Sequence, residues 1–330
     1  MYEEHFGLSA KPFRLSPDAR FFFPSPQHRR ALAFLEYGLH EGEGFVVVTG
    51  EPGTGKSTLI SKLLAEHGDD DLLVATIETS ALPRGELIAL TCARFGIETG
   101  DGVGANIENL RSALARAAEG GRRALLIVDE AQNLPEDTLE ELRMLTNLGG
   151  ARGQLLQIFL VGQPPLRELI ERPSMDQLRQ RIAAAFHLQG LAPDEVEAYV
   201  RHRLTAAGWR ANPAFADEAF VRVAALSRGV PRLVNTLCDR LLLFCWIEQR
   251  TSIDAVTVDT VAEEMGLGLT VARGRSEALE AVEDLGNGRG LAFEDEGTTL
   301  EDVLRRIADA ERRIRIDLRR RLGDPPSSGG

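Results

Sequence analysis

The feature that most constrains this chain is a glycine-rich segment that matches G-x-x-x-x-G-K-[ST] at every fixed position. An apolar run at 45–49 precedes it and a helical pattern at 56–64 follows it. Its glycines let successive backbone N–H groups turn inward around a phosphate, and the following helix adds a positive dipole end. The segment predicts a phosphate-binding loop, with the residues Gly50, Glu51, Pro52, Gly53, Thr54, Gly55, Lys56 and Ser57.

This loop predicts the binding of ATP with Mg²⁺. Lys56 can reach the β- and γ-phosphates, and the hydroxyl of Ser57 can ligate the metal ion. We expect the nucleotide-binding residues to run from Gly50 through Thr58.

Two adjacent carboxylates indicate hydrolysis in addition to binding. The apolar run at 125–128 ends in Asp129 and Glu130, and we expect its strand to lie beside the strand that carries the phosphate-binding loop. Asp129 can hold the metal ion, and Glu130 can polarise the attacking water as a general base. A regulatory module that binds ATP without turnover is a further alternative, but such a module has no use for a base at Glu130.

Alternating strand and helix patterns predict an α/β fold with a parallel sheet and flanking helices. Apolar runs at 72–77, 124–128 and 155–161 resemble buried strands, like the run before the loop. After Gln189 we expect no strands and an all-α domain, with helices at 194–204, 214–227, 231–250 and 255–265.

The last part of the sequence differs in composition from the rest. Nine acids and one arginine lie between residues 277 and 302, which predicts an acidic linker over 266–302. Eight arginines and three acids follow in a basic amphipathic helix at 303–322, and we expect 323–330 to be a disordered tail. This helical tail has three alternative roles: binding anionic lipid, binding a partner, or remaining solvated or self-associated.

Composition excludes several classes of protein. The net charge of −12 argues against a nucleic-acid partner, and the scattered Cys92, Cys238 and Cys245 argue against disulfides and zinc. No apolar run approaches the roughly 20 residues of a membrane span, and the N-terminus is acidic where a signal peptide is basic. We expect a cytoplasmic protein, or one peripheral at the inner face of the cytoplasmic membrane.

Taken with these motifs, further segments resemble the AAA+ ATPases of the ExeA/GspA (general secretion pathway protein A) type. The resemblance extends to relatives encoded beside exosortase and polysaccharide-export genes and to pilus-biogenesis ATPases, and it covers about residues 1–265. The segments that carry it are 6–8, 11–13, 17–22, 42–45, 129–134, 160–164, 178–182 and 229–235.

The resemblance implies a P-loop NTPase of three parts, an adenine-side segment (1–29), an AAA+ α/β domain (30–189) and a helical lid (190–265). It implies that His28 and the phenylalanines at 21–23 surround the adenine. Gln163 takes the position of a polar sensor, and Arg232 that of a second sensor on the γ-phosphate.

The resemblance also implies that Arg181, with Arg179 as second choice, is an arginine finger supplied to a neighbouring subunit. An arginine that acts in the next subunit requires a head-to-tail homo-oligomeric ring, for which the family expectation is a hexamer.

Two functions follow as alternatives. The first is ATP hydrolysis that drives a cell-envelope export, secretion or pilus machine through a protein partner, with membrane contact indirect or through 303–322. The second is a DNA-associated AAA+ switch like the transposition regulators or origin-recognition ATPases. Only 303–322 offers the basic stripe that DNA binding requires.

Overall fold

The fold is built on a five-stranded parallel sheet. A computed structural model of the protein describes residues 2–16, 18–42, 44–67, 71–78, 85–149 and 154–266. The strands lie in the order β2-β3-β4-β1-β5, and every neighbouring pair is parallel, which confirms the predicted α/β class. Their bounds are β1 (Phe45–Gly50), β2 (Leu72–Glu78), β3 (Arg123–Asp129), β4 (Leu156–Gly162) and β5 (Ile182–Leu188).

A short helix, α1 (Tyr2–His5), precedes the sheet in sequence, and the helices that follow it cover both faces of the sheet. The covering helices are α2 (Pro26–Glu41), α3 (Lys56–Glu66), α4 (Glu86–Arg94), α5 (Val103–Glu119), α6 (Glu136–Leu145), α7 (Pro164–Ile170) and α8 (Asp176–Arg179). Val46 and Val48 of β1 face a core that includes α2 and α3, whereas Phe45 and Val47 face a second core beneath α4–α7. Each buried aliphatic side chain contributes roughly 1.5–3 kcal/mol. The carboxyl ends of the central strands are therefore held firmly at one edge.

The strand β5 is not predicted by the sequence pattern. It contains three successive alanines, which favour helices and give little apolar signal. β5 lies at the edge of the sheet, where Ala184 and Leu188 are buried while Ala183 and Ala185 are exposed. A strand covered on one face needs no continuous apolar run, which is why the pattern misses it.

A second group of helices follows the sheet and is called here the helical region. It consists of α9 (Pro193–Ala206), α10 (Asp217–Ser227), α11 (Pro231–Ile247) and α12 (Ala255–Glu264), which share one apolar core. The prediction that strands are absent after Gln189 is wrong. The two-residue strands β6 (Ala214–Phe215) and β7 (Ser252–Ile253) pair in parallel, and they are too short to produce a period in the sequence. Consequently α10 begins three residues later than predicted.

The N-terminal segment packs on the helical region. Phe6, Phe13 and Phe21 are buried in the same core as α9–α12. The hydroxyl of Tyr2 donates to Asp239 of α11 at 2.5 Å. Tyr2, Phe6, Phe13 and Phe21 therefore form part of the helical region's core, although all five strands of the central sheet lie between them and that region in sequence.

Several predictions lie outside the described residues. The acidic linker begins at the last described residue, and the basic helix at 303–322 and the tail at 323–330 are not described. Among the described helices, none combines the length and the apolarity that a membrane crossing requires.

Candidate nucleotide-binding site

The glycine-rich segment forms a loop between the carboxyl end of β1 and the first turn of α3. Gly55 precedes that helix with a φ of 103°, a left-handed value that side chains oppose. The ammonium group of Lys56 is buried and donates to two carbonyl oxygens of its own loop, at 2.7 and 3.1 Å. Ser57 is exposed. This loop thus offers a helix N-terminus, a cation and a hydroxyl. These groups suit the binding of a nucleoside triphosphate.

The remaining loop residues differ in what they expose. Glu51 and Pro52 are exposed, and Thr58 is half-buried. The side chain of Thr54 is fully buried and its hydroxyl donates to the carbonyl oxygen of Glu51 at 2.8 Å. The side chain of Thr54 therefore shapes the loop from within, and its backbone N–H donates to the same carbonyl oxygen at 3.3 Å.

Asp129 and Glu130 lie where β3 ends, at the same edge of the sheet as this loop. The prediction that their strand lies directly beside β1 is wrong, because β4 lies between β3 and β1. The carboxylates nevertheless act on the loop's ammonium group. Burial lowers the pKa of Lys56, and the negative charges of Glu130, Asp129 and Glu51 oppose that shift.

Asp129 and Ser57 fit the predicted magnesium ligands. Burial raises the pKa of Asp129, and the charge of Glu130 adds to that effect. A bound cation would favour the ionised form of this carboxyl. Among the described residues, no three His, Cys, Asp or Glu side chains group to hold a metal. Mg²⁺ commonly takes one or two protein oxygens together with phosphate oxygens.

Glu130 is held by two glutamines. Its Oε2 accepts from Nε2 of Gln132 at 2.5 Å and from Nε2 of Gln163 at 2.9 Å. These donors, Gln132 first, lower the pKa of Glu130 despite partial burial. The backbone of Glu130 has a φ of 52°, a left-handed conformation that is rare for residues other than glycine and concentrates at functional sites. The carboxylate is therefore kept ionised and fixed in place.

Arg232 lies at the start of α11 and contacts the phosphate-binding loop. Its backbone N–H donates to the carbonyl oxygen of Gly53 at 3.2 Å. Gly53 has a φ of 85°, and a Cβ added to it would overlap the Cβ of Arg232. The predicted second sensor, Arg232, thus lies next to the loop. Because Arg232 belongs to α11, the helical region contacts the loop at this point.

Arg181 is not brought to the site of its own chain. It directly precedes β5, at the amino edge of the sheet, whereas the phosphate-binding loop is at the carboxyl edge. Its guanidinium donates to Thr146 at 3.0 Å and to Asn147 at 2.5 Å. Arg179 is exposed and paired with Asp176. The hydrogen-bond partners of both arginines lie outside the phosphate-binding loop of their own chain.

His28 lies behind the phosphate-binding loop. It is buried, its Nδ1 lies 2.8 Å from the hydroxyl of Ser25, and a Cβ added to Gly55 would lie 2.9 Å from its Nε2. Of the predicted adenine-side phenylalanines, Phe22 packs edge-on to His28 and Phe23 packs on the helical region. The assignment of these residues to the adenine stays a prediction.

Gln132 is the site residue to which the sequence analysis assigned no role. Besides its bond to Glu130, its Oε1 accepts from the backbone N–H of Gln163 at 2.9 Å. The available signal was its position two residues after the proposed base, on a one-turn 3-10 helix that returns the side chain to it.

Known proteins are similar to this chain in sequence. A family model described as an AAA domain matches residues 39–170. General secretion pathway protein A of Aeromonas hydrophila is 41% identical over 245 residues, which cover 74% of this chain and 44% of that protein. The chain therefore spans less than half the length of this relative.

Two solved structures share the fold. Drosophila ORC bound to DNA gives a TM-score of 0.56 at 19% identity, covering 77% of this chain and 64% of the other. Cdc6p from Pyrobaculum aerophilum gives a TM-score of 0.55 at 17% identity, covering 75% and 71%. At such identities the likeness concerns the fold alone.

The sheet order, the phosphate-binding loop and the domain match together define a P-loop protein of the AAA+ class. Within that class, the 41% identity over most of the chain to general secretion pathway protein A supports an AAA ATPase of the ExeA/GspA type.

Proposed function

We propose that this protein hydrolyses ATP in a Mg²⁺-dependent reaction at the site formed by Lys56, Asp129 and Glu130. The observation that carries the proposal is the ionised, left-handed Glu130, held by two amides at the edge of the sheet where the phosphate-binding loop lies. A carboxylate in that state suits a general base for water. A loop that only bound nucleotide would have no need of it.

The other residues take supporting roles in this proposal. Lys56 and the loop backbone bind the phosphates, Ser57 and Asp129 hold Mg²⁺, and Gln163 orients groups near the γ-phosphate. When bound, Mg²⁺ neutralises charge on the phosphate oxygens. Arg232 links ATP binding to movement of the helical region, which acts as a lid.

Steady-state ATP hydrolysis tests the proposal through matched lysine variants. Lys56 and Lys62 both lie on α3, but Lys62 is exposed and paired with Glu66. We expect Lys56→Ala to abolish hydrolysis and Lys62→Ala to keep the wild-type rate. Glu130→Gln should bind ATP without hydrolysing it. A rate that persists in Lys56→Ala would overturn the proposal.

The active form in this account is a homo-oligomeric ring in which Arg181 completes the site of the next subunit. Support comes from the position of Arg181 at the amino edge of its own sheet, away from its own phosphate-binding loop. The hexamer stays a family expectation.

The work that ATP drives is proposed to be assembly or operation of a cell-envelope secretion or export machine, at the cytoplasmic side of the membrane. The support is the 41% identity to general secretion pathway protein A. Deleting the gene in the organism of origin and restoring either wild type or Lys56→Ala tests this role. Only wild type should restore protein or polysaccharide outside the cell, and normal export without the gene would contradict the proposal.

The DNA-associated alternative has weaker support. Its solved neighbours share the fold at 19% identity or less, and the net charge is −12. Hydrolysis stimulated by duplex DNA, and not by membrane fractions containing the export machine, would favour it.

A further inference from the structure

The glutamine cluster at the end of β3 and β4 forms a closed ring of three hydrogen bonds. Gln132 and Gln163 each donate an amide N–H to the same oxygen, Oε2 of Glu130, at 2.5 and 2.9 Å. The Oε1 of Gln132 accepts the backbone N–H of Gln163 at 2.9 Å. Gln132 is therefore bonded through both ends of its amide, which fixes the amide orientation as well as the carboxylate.

The backbone around this ring leaves little room for adjustment. A Cβ added to Gly162, the residue before Gln163, would lie 2.6 Å from Oε1 of Gln132. Glu130 itself has a positive φ, so its carboxylate starts from an uncommon direction. Tight packing on one side and a left-handed residue on the other hold Gln132 against Glu130.

We propose that Gln132 is a positioning residue for hydrolysis, which sets the direction of the Glu130 carboxylate; this inference rests on Glu130 being the base of the proposed function. Two amide donors meet on one oxygen of that carboxylate, and the other end of the Gln132 amide accepts the backbone N–H of Gln163. The carboxylate is thus kept in one orientation, which a general base needs in order to take a proton from water.

The inference predicts a graded effect of two substitutions at one position. Gln132→Leu keeps a similar size but removes the donor, so the carboxylate of Glu130 is free to turn. Gln132→Glu replaces the donor by a second carboxylate, which repels the carboxylate of Glu130 and turns it away. Neither substitution touches the phosphate-binding loop.

Gln157→Leu is the matched control. Gln157 is a buried glutamine whose amide donates to the carbonyl oxygen of Gly38, and it lies near the other end of β4. Its loss removes a buried amide of the same kind without contact with Glu130. Any effect common to Gln132→Leu and Gln157→Leu is therefore one of packing.

The experiment is single-turnover hydrolysis of Mg·ATP at neutral pH, which isolates the chemical step from product release. ATP binding is measured on the same samples. We expect Gln157→Leu to keep the wild-type rate. Gln132→Leu should be about tenfold slower than wild type, and Gln132→Glu slower still. ATP affinity should stay unchanged in both variants at position 132.

Equal single-turnover rates in Gln132→Leu and Gln157→Leu, or a lower ATP affinity that accounts for the whole loss of rate, would overturn the role of Gln132. Either result leaves the proposed function standing if hydrolysis depends on Lys56 and Glu130. Absence of Lys56-dependent hydrolysis in wild type would instead overturn the proposed function itself. The two failures are therefore distinguished by the same set of proteins.

Discussion

The backbone N–H of Arg232 donates to the carbonyl oxygen of Gly53 at 3.2 Å, so that the first turn of α11 rests on the phosphate-binding loop. No side chain fits between them, because a Cβ on Gly53 would overlap the Cβ of Arg232. The loop and the helical region, 179 positions apart in sequence at these two residues, therefore meet at a direct backbone contact. A change in the loop reaches the helices without an intermediate side chain.

Gly53→Ala tests this contact. Gly96 also has a positive φ but has no atom within 4 Å of an added Cβ, so Gly96→Ala is the matched control. We expect both variants to lose about 1–2 kcal/mol of unfolding free energy, the usual cost of a left-handed residue. Only Gly53→Ala should also lose ATP affinity, by about tenfold, because only its methyl group displaces Arg232. Equal ATP affinity in the two variants, measured by titration, would show that the contact does not affect the loop.

Arg203 joins the N-terminal segment to the helical region. Its buried guanidinium donates to the carbonyl oxygens of Pro12 at 2.6 Å and Arg14 at 3.1 Å, and to the hydroxyl of Tyr199 at 2.8 Å. Arg203→Met should leave these oxygens without that donor and lower the unfolding free energy by about 2–4 kcal/mol.

Arg201→Met is its control on the same helix, since Arg201 has a 42% exposed side chain in a surface ion pair. That change should alter stability by less than about 1 kcal/mol. Denaturant unfolding measures both values, and hydrogen exchange should show faster opening of residues 2–16 in Arg203→Met only. Equal stabilities would show that the buried guanidinium does not hold the segment.

His28 makes stability depend on pH. Burial lowers its pKa below the ordinary 6.5, although a bond to Thr54 and the charge of Glu195 oppose that effect. Below about pH 6.5 the unfolded chain therefore binds a proton that the folded chain does not. The contribution of His28 to the unfolding free energy should thus be constant above that pH. It should fall as the pH drops, until the pH passes the pKa of His28 in the folded chain.

Urea unfolding from about pH 5 to about pH 8 checks this sign, since a single group contributes at most about 1.4 kcal/mol per pH unit. We expect His28→Gln to have a shallower fall than wild type over this range. His40→Gln, a change at an exposed histidine of the same helix, should keep the wild-type slope. A wild-type slope in His28→Gln would contradict the burial of a neutral ring.

Complementation tests whether Arg181 acts on the next subunit. A Lys56→Ala subunit lacks its own site but carries the arginine, whereas an Arg181→Ala subunit keeps the site and lacks the arginine. Each alone should be inactive, and a mixture should recover hydrolysis where the two types alternate. The same mixture with Arg179→Ala in place of Arg181→Ala decides between the two arginines. An Arg181→Ala protein that is fully active alone would contradict the role.

The three central strands β1, β3 and β4 could be predicted because they are buried on both faces. Leu125, Val128 and Phe159 belong to continuous apolar runs, and such runs have few other solutions than a parallel strand. β5 could not be predicted, because an edge strand with one covered face can be built from alanines, which give little apolar signal. The pairing of Phe215 with Ile253 is equally hidden, because a two-residue ladder is set by the helices that follow each strand.

The site also contains residues that the sequence could predict and contacts that it could not. Lys56 and Glu130 follow from local motifs, in which a few neighbouring residues perform the chemistry. The bond between Gln132 and Gln163 depends on how β3 and β4 end beside each other, and no local pattern specifies it. The contact of Arg232 with Gly53 likewise depends on packing between segments distant in sequence.

The most direct test of the account is the identity of the nucleotide recovered from the protein after incubation with Mg·ATP. Wild type should yield ADP and release phosphate, Glu130→Gln should yield intact ATP, and Lys56→Ala should yield neither in stoichiometric amount. Recovery of intact ATP from wild type, under conditions where the protein is assembled, would contradict hydrolysis at this site.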